Sequence, residues 1–194
     1  MSSLSASGAR IRGDDFQHLF AWCRVLRALH ADSGISEIGI EDPDAGHIDD
    51  FTEYYLKGRN RYYQIKASVN SKHLVNIEWL TKLSPSSGPS IIRKFHTVWR
   101  SVHKTAEKPY LQLFTNRLID PRDPVIALCD GQDRTVCVNL KKISSKSKAG
   151  KALNVLASHL KIDKGELGLF LRDLSIVLGK SDADCLDLAA SLMV

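Results

Sequence analysis

The sequence predicts an α/β fold: a mixed central sheet flanked by helices, with a helical C-terminal extension. Three observations carry this expectation. One amphipathic helical stretch lies near the start, three strand-like runs joined by turns follow it, and a second amphipathic helix leads into further strand-like runs. A chain that orders its elements as helix, three strands, helix and strand has a sheet that its helices must cover.

Each element follows from its residues. "DDFQHLFAWCRVLRALH" spaces Phe16, Leu19, Phe20, Cys23, Leu26 and Leu29 at helical intervals, predicting a helix from Asp14 to His30 that starts at Gly13 and Asp14. "ISEIGIE" alternates and ends at the turn signal "DPDAG", so it reads as the first strand. "FTEYYL" is the second strand, "KGRN" the turn, and "RYYQIKA" the third strand, rich in the aromatic and β-branched residues that strands favour. "NIEWLTKL" predicts a short helix or turn and "SPSSGPS" a loop. In "SIIRKFHTVWRSVHK", Ile91, Ile92, Phe95, Val98, Trp99 and Val102 form one helical face. "YLQLFTN", "PVIAL" and "TVCVNL" read as strands, and the tail reads as three helical stretches, "AGKALNVLASHL", "DKGELGLFLRDLSIVL" and "SDADCLDLAASLMV". The expected division is a core over 1–142 and a helical extension over 143–194.

Composition narrows the class. The 194 residues are 43% hydrophobic and 25% charged, as in a globular protein of one domain or one domain with an appendage. The first residues are polar, unlike a secretory signal, and no run approaches the roughly 18 apolar residues of a membrane span. Cys23, Cys129, Cys137 and Cys185 contain no Cys-x-x-Cys pair, so they suggest neither a zinc knuckle nor a redox motif and fit reduced thiols. The expected location is cytoplasmic.

The distribution of charge says more than the net +5. From Ser36 to Glu53 stand Glu37, Glu41, Asp42, Asp44, Asp49, Asp50 and Glu53 without one Lys or Arg. By contrast, residues 141–164 hold seven lysines against Asp163, and residues 93–108 hold five Lys and Arg against Glu107. An acidic pocket beside basic flanks suits a metal-dependent enzyme acting on a phosphate backbone, whereas acidic loops and solvated helix faces in separate places are the plainer alternative.

The stretch "GHIDDFTEYYLKGRNRYYQIKAS" then reads as chemistry. Alternation in the third strand sets Tyr62, Gln64 and Lys66 on one face, with Gln64 and Lys66 roughly 6 to 7 Å apart. A hairpin brings one of Asp49 and Asp50 beside Gln64 and points the other away. One carboxylate, one amide oxygen and one ammonium are a sensible kit for phosphodiester hydrolysis: the oxygens hold a hard divalent cation, and the lysine orients water or stabilises charge on the phosphorus centre.

The run Glu-x7-Asp-Asp through Tyr-Gln-Ile-Lys resembles the catalytic core of the PD-(D/E)xK, restriction-endonuclease-like superfamily, in the variant where Gln replaces the acid of the third motif. "GARIRGDDFQHLFAWCRVLRAL", "YLQLFTNRLIDPRDPV" and "ELGLFLRDLSI" look like the nuclease domain of CD-NTase-associated anti-phage effectors, which also occurs at the front of STAND-type defence ATPases. The resemblance covers about Gly8 to Leu178. It implies that Asp49, after apolar Ile48, binds the metal, with Asp50 as the alternative, Gln64 as a neutral ligand, Lys66 as the catalytic lysine, Glu41 as an auxiliary acid and Gln17 at the edge of the site. Magnesium or manganese is the implied cofactor and double-stranded DNA the implied partner.

Three readings stay open. The first is a metal-dependent DNA endonuclease of an anti-phage system. The second is a binding-only module of the same fold, gripping nucleic acid through Arg93, Lys94, Arg100, Lys146, Lys148 and the neighbouring lysines. The third is an adaptor or assembly domain. Trp79 and Trp99 are expected in the core, and His96 and His103 on a solvated helix face. "SKSKAGKA" is not a phosphate-binding loop, since it lacks the first Gly and has Ala152 where Ser or Thr would bind magnesium. The last residues, "DCLDLAASLMV", stop inside a helical pattern, so a sensor or oligomerising region is expected to follow and to make the protein a homo-oligomer.

Overall fold

The computed structural model describes residues 6–42, 45–48, 50–70, 73–83, 88–103, 108–123 and 143–183. Helix α1 (Ala6–Ala28) leads into three antiparallel strands, β1 (Ile35–Ile40), β2 (Phe51–Tyr55) and β3 (Arg61–Lys66). The β2–β3 turn is tight enough to need Gly58 at φ 108°, a region that side chains avoid. The chain then leaves the sheet through β4 (Leu74–Val75), α2 (Ile77–Thr81) and α3 (Ile91–Val102), and returns as β5 (Tyr110–Thr115), parallel to β3. Helices α4 (Lys148–Leu160) and α5 (Lys164–Asp173) precede β7 (Leu174–Val177), which lies parallel to β5, and β6 (Leu118–Ile119) pairs with β4 in a separate small sheet. The main sheet has the order β1-β2-β3-β5-β7. Its antiparallel half is joined by short loops and its parallel half by helical crossovers, as parallel pairing requires.

Two cores cover the two faces. Alternation sends Tyr62, Leu111, Leu113, Leu174 and Ile176 to one face, where they meet Phe95, Trp99, Leu156 and Phe170 of the crossover helices. The other face presents Phe51, Tyr63, Ile65, Phe114 and Val177 to Phe16, Phe20 and Cys23 of α1. Phe20 is the hub of that layer, its ring 4.6 Å from Phe114 and 5.1 Å from Tyr63. Side chains that cap their own helix starts hold the crossover in place: Asn76, Ser90, Ser147 and Asp163 each accept from a backbone N–H three residues on. Gly150 is required for a different reason, since a Cβ there would lie 2.1 Å from the Ser144 carbonyl oxygen.

Several expectations need correction. The helix expected through Leu178 ends at Asp173, and Leu174–Val177 is a strand. A short run of apolar residues buried on both faces fits either period, and the place beside β5 decides it. Residues 143–178, expected as an extension of a core ending at 142, supply Leu153, Leu156, Leu167, Phe170 and Ile176 to the main core. Helix α1 starts at Ala6 and not at Asp14, because the residues before Asp14 carry no apolar stripe to read. Strands β4 and β6 are too short to show a period. The expected strands "PVIAL" and "TVCVNL" and the final stretch from 184 lie outside the described residues.

The face of α3 expected to be solvated is covered by α5. His96 is 5% exposed, stacks on Trp99 and bonds Glu166 at 3.0 Å. Trp99 is in the core as expected, its indole N–H donating to the buried Asp173 carboxylate, which also accepts from Arg59. Trp79 is partly buried against the same layer. Among the described residues no helix is long and apolar enough to cross a membrane.

Candidate active site

The register of β2 and β3 builds the site. Phe51 lies opposite Tyr63, so Asp50, one residue earlier, stands across from Gln64. Its Oδ2 accepts from the Gln64 side-chain amide and from the Ile65 backbone N–H at 2.6 Å, and lies 3.6 Å from Lys66 Nζ. Lys66 follows at the exposed end of β3 with 39% of its side chain accessible. Gln64 is buried, and its carbonyl oxygen Oε1 has no hydrogen-bond partner among the described residues. Thr52, two residues after Asp50 and on the same strand face, likewise buries an unpartnered Oγ1. Buried oxygens without donors are rare in folded proteins, so this face presents acceptor capacity that the chain leaves unused.

Glu41 follows β1, which pairs Ile40 with Phe51, so its backbone lies beside Asp50, and its N–H donates to the Asp50 carbonyl at 3.5 Å. It sits at φ 50°, the left-handed region that few non-glycine residues enter. Its side chain is exposed. Asp42 turns instead over Gly39 and accepts from the Tyr54 hydroxyl at 2.7 Å. Asp49 lies outside the described residues, and Asp50 meets Gln64 and Lys66.

The described acids of the 36–53 stretch do not form one pocket. Glu53 points to the opposite face, fully buried, where Arg24 grips it through two bonds of 2.6 and 2.7 Å and the Tyr55 and Tyr63 hydroxyls each donate to it at 2.9 Å. Burial pushes the Glu53 pKa up, but the Arg24 bonds and charge, with the two tyrosines, outweigh it and leave that pKa below the usual carboxylate value. Residue parity explains the separation, since Glu53 and Asp50 are an odd number of positions apart along one strand.

Gln17 is half-buried on α1, the helix that covers the face opposite Gln64, and among the described residues no hydrogen bond links it to Asp50, Gln64 or Lys66. The basic residues divide. Arg93 caps α4 by donating to the His159 carbonyl at 2.6 Å, and Arg100, 62% exposed, lies 3.4 Å from Glu166. Lys94 is half-buried on α3, while Lys146 and Lys148 are exposed at the start of α4. Arg24 and Thr115 are the contributors that the sequence left unmarked. Thr115 donates to the Lys66 carbonyl and so holds the end of β3.

A hard cation takes six or more oxygens, several of them from water or phosphate. The unpartnered Gln64 Oε1 and the Asp50 carboxylate fit that preference as the protein's share. Among the described residues no three His, Cys, Asp or Glu side chains converge to form a fuller cage.

No protein-family model and no curated protein matches the chain. Two solved structures of the Acinetobacter baumannii Cap4 SAVED/CARF-domain containing receptor are similar to it. The structure with the cyclic trinucleotide 3'3'3'-cAAA has 14% identity and a TM-score of 0.41, and the one with 2'3'3'-cAAA has 15% and 0.42. Each comparison covers 100% of this chain and 36% of the receptor, so the chain spans about a third of those proteins. At that level of likeness neither a ligand nor an activity passes from them to this chain.

Proposed function

We propose that this chain is a metal-dependent phosphodiesterase domain that cleaves double-stranded DNA as an effector of prokaryotic anti-phage defence. The observation that carries the reading is the meeting of Asp50, Gln64 and Lys66 on one sheet face, with the Gln64 carbonyl oxygen buried and unpartnered. Magnesium or manganese, when bound, would polarise the phosphate and lower the pKa of a water. Gln64 Oε1 and the Asp50 carboxylate would hold the ion. The Ile65 N–H and the Gln64 amide fix the Asp50 rotamer, so the carboxylate is oriented before any ligand arrives. Among the described residues Lys66 is tied only by a long contact in a partly exposed position, which leaves its ammonium able to turn towards a phosphate oxygen and offset charge in the transition state. The defence setting rests on the sequence resemblance, as does assembly into a homo-oligomer through a region outside this chain.

A binding-only role has one observation in its favour: Asp50 is the one described carboxylate that contacts both Gln64 and Lys66. The deciding experiment incubates the domain with supercoiled plasmid in magnesium or manganese, with and without EDTA, at several protein concentrations and after fusion to an oligomer. Metal-dependent nicking that EDTA abolishes is the expected result. DNA binding without cleavage under every condition would hand the site to the binding-only role.

A further inference from the structure

Arg117 lies just beyond β5, and its guanidinium has no hydrogen-bond or ion-pair partner among the described residues, with its Nε fully buried. Its Cζ sits 4.5 Å from the ring centroid of Trp79 on α2. Three other arginines meet carboxylates instead: Arg24 holds Glu53, Arg59 holds Asp173 and Arg122 holds Asp120. A half-buried cation that meets an aromatic face and no anion is costly for the folded chain, and burial accordingly lowers the Arg117 pKa from its usual value.

Its position is set by the same hydroxyl that holds Lys66. Thr115 is the partner of Lys66 in the parallel β3–β5 register; its Oγ1 donates to the Lys66 carbonyl and accepts from the Arg117 N–H at 3.2 Å. The Arg117 carbonyl accepts from Gly179 N–H at 2.8 Å, which anchors it to the chain just after β7. Trp79 belongs to the layer on the Gln64 and Lys66 face. The guanidinium is therefore held over Trp79 near the C-terminal ends of the parallel strands, where ligands of α/β sheets commonly bind.

We propose that Arg117 is a phosphate-binding residue, forking onto a backbone phosphate of the DNA whose cleavage is assigned above to the neighbouring Asp50, Gln64 and Lys66. The choice of DNA as the polyanion rests on that reading. The planar, pre-oriented fork suits two phosphate oxygens, which a lysine cannot match.

Arg117→Met keeps an aliphatic cover over Trp79 and removes the charge, and Arg117→Lys keeps the charge without the fork. Binding of a short fluorescein-labelled DNA duplex is followed by anisotropy in EDTA across a salt series, beside thermal melting and plasmid nicking in magnesium. Arg117→Met should bind roughly tenfold more weakly with a salt slope smaller by about one, yet melt higher than wild type, and Arg117→Lys should recover part of the affinity. Binding by Arg117→Met equal to wild type, or no duplex binding by the wild type, overturns the proposal. A wild type that never nicks plasmid while Arg117→Met still loses affinity sinks the nuclease reading and leaves the phosphate site standing. Nicking and binding that both survive Arg117→Met do the reverse.

Discussion

Asp50 and Gln64 face each other across the β2–β3 pair, and the bond from the Gln64 amide to Asp50 Oδ2 leaves Gln64 Oε1 as a buried acceptor without a donor among the described residues. The same Oδ2 takes the Ile65 N–H, so one carboxylate oxygen fixes both the strand end and the orientation of the amide.

Asp50→Ala should therefore abolish cleavage and weaken the fold. It strands the Ile65 N–H and the Gln64 amide without an acceptor, a loss of about 1–3 kcal/mol. Asp50→Asn keeps an acceptor for Ile65 and should stay closer to wild-type stability while remaining inactive. Urea melts beside plasmid nicking check both, with Asp49→Ala assayed alongside. Full activity in Asp50→Asn would remove the Asp50 charge from the mechanism.

Lys66→Ala should cut the rate by roughly a hundredfold or more, the scale of a lost charge-stabilising group. Its contact with Asp50 is long and partly solvated, so stability should change by less than about 1 kcal/mol. Wild-type nicking by this variant, with an unchanged circular dichroism spectrum, would exclude the lysine from catalysis.

Gln64→Glu places a second carboxylate against Asp50 in a buried position. Burial and the like charge raise the pKa of the new group in the folded chain above its unfolded value of about 4.3. The folded state then holds the proton more tightly than the unfolded one, so stability is present in acid and is lost as the pH rises through the folded pKa. Magnesium or manganese should restore it at neutral pH by replacing the proton. Melting temperatures against pH, with and without metal, test this; a flat, metal-insensitive profile would argue against a cation between these two positions.

Glu53 gives the opposite sign. Its folded pKa lies below the unfolded value, so its contribution is present above about pH 4.3 and is lost as the pH falls through the folded pKa. Arg24→Met leaves the buried carboxylate without its cation and should cost about 3–5 kcal/mol at neutral pH. The double change Arg24→Met with Glu53→Gln should recover much of that and flatten the acid limb of the denaturation curve. If the single and double variants melt alike, the pair contributes nothing to holding α1 on the sheet.

Much of the fold is legible in the residues, because period decides it locally. Strands β1 to β3, helix α3 and the shared face of Gln64 and Lys66 follow from alternation and helical spacing alone. The same alternation, applied to β2, puts Glu53 and Asp50 on opposite faces of the sheet and so divides the acidic cluster that looks continuous along the chain.

The residue order therefore suffices for a mixed α/β chain carrying a carboxylate pair, an amide and a lysine at hairpin spacing. Tertiary structure set Asp50 against Gln64, because that depends on the register between two strands and not on the order of residues within one. It made a strand of Leu174–Val177, since an apolar run buried on both faces takes its form from the neighbour that bonds it. It also gave Glu53 to Arg24 and left Arg117 with Trp79, pairings between residues far apart in the chain that arise only when the sheet and helices pack.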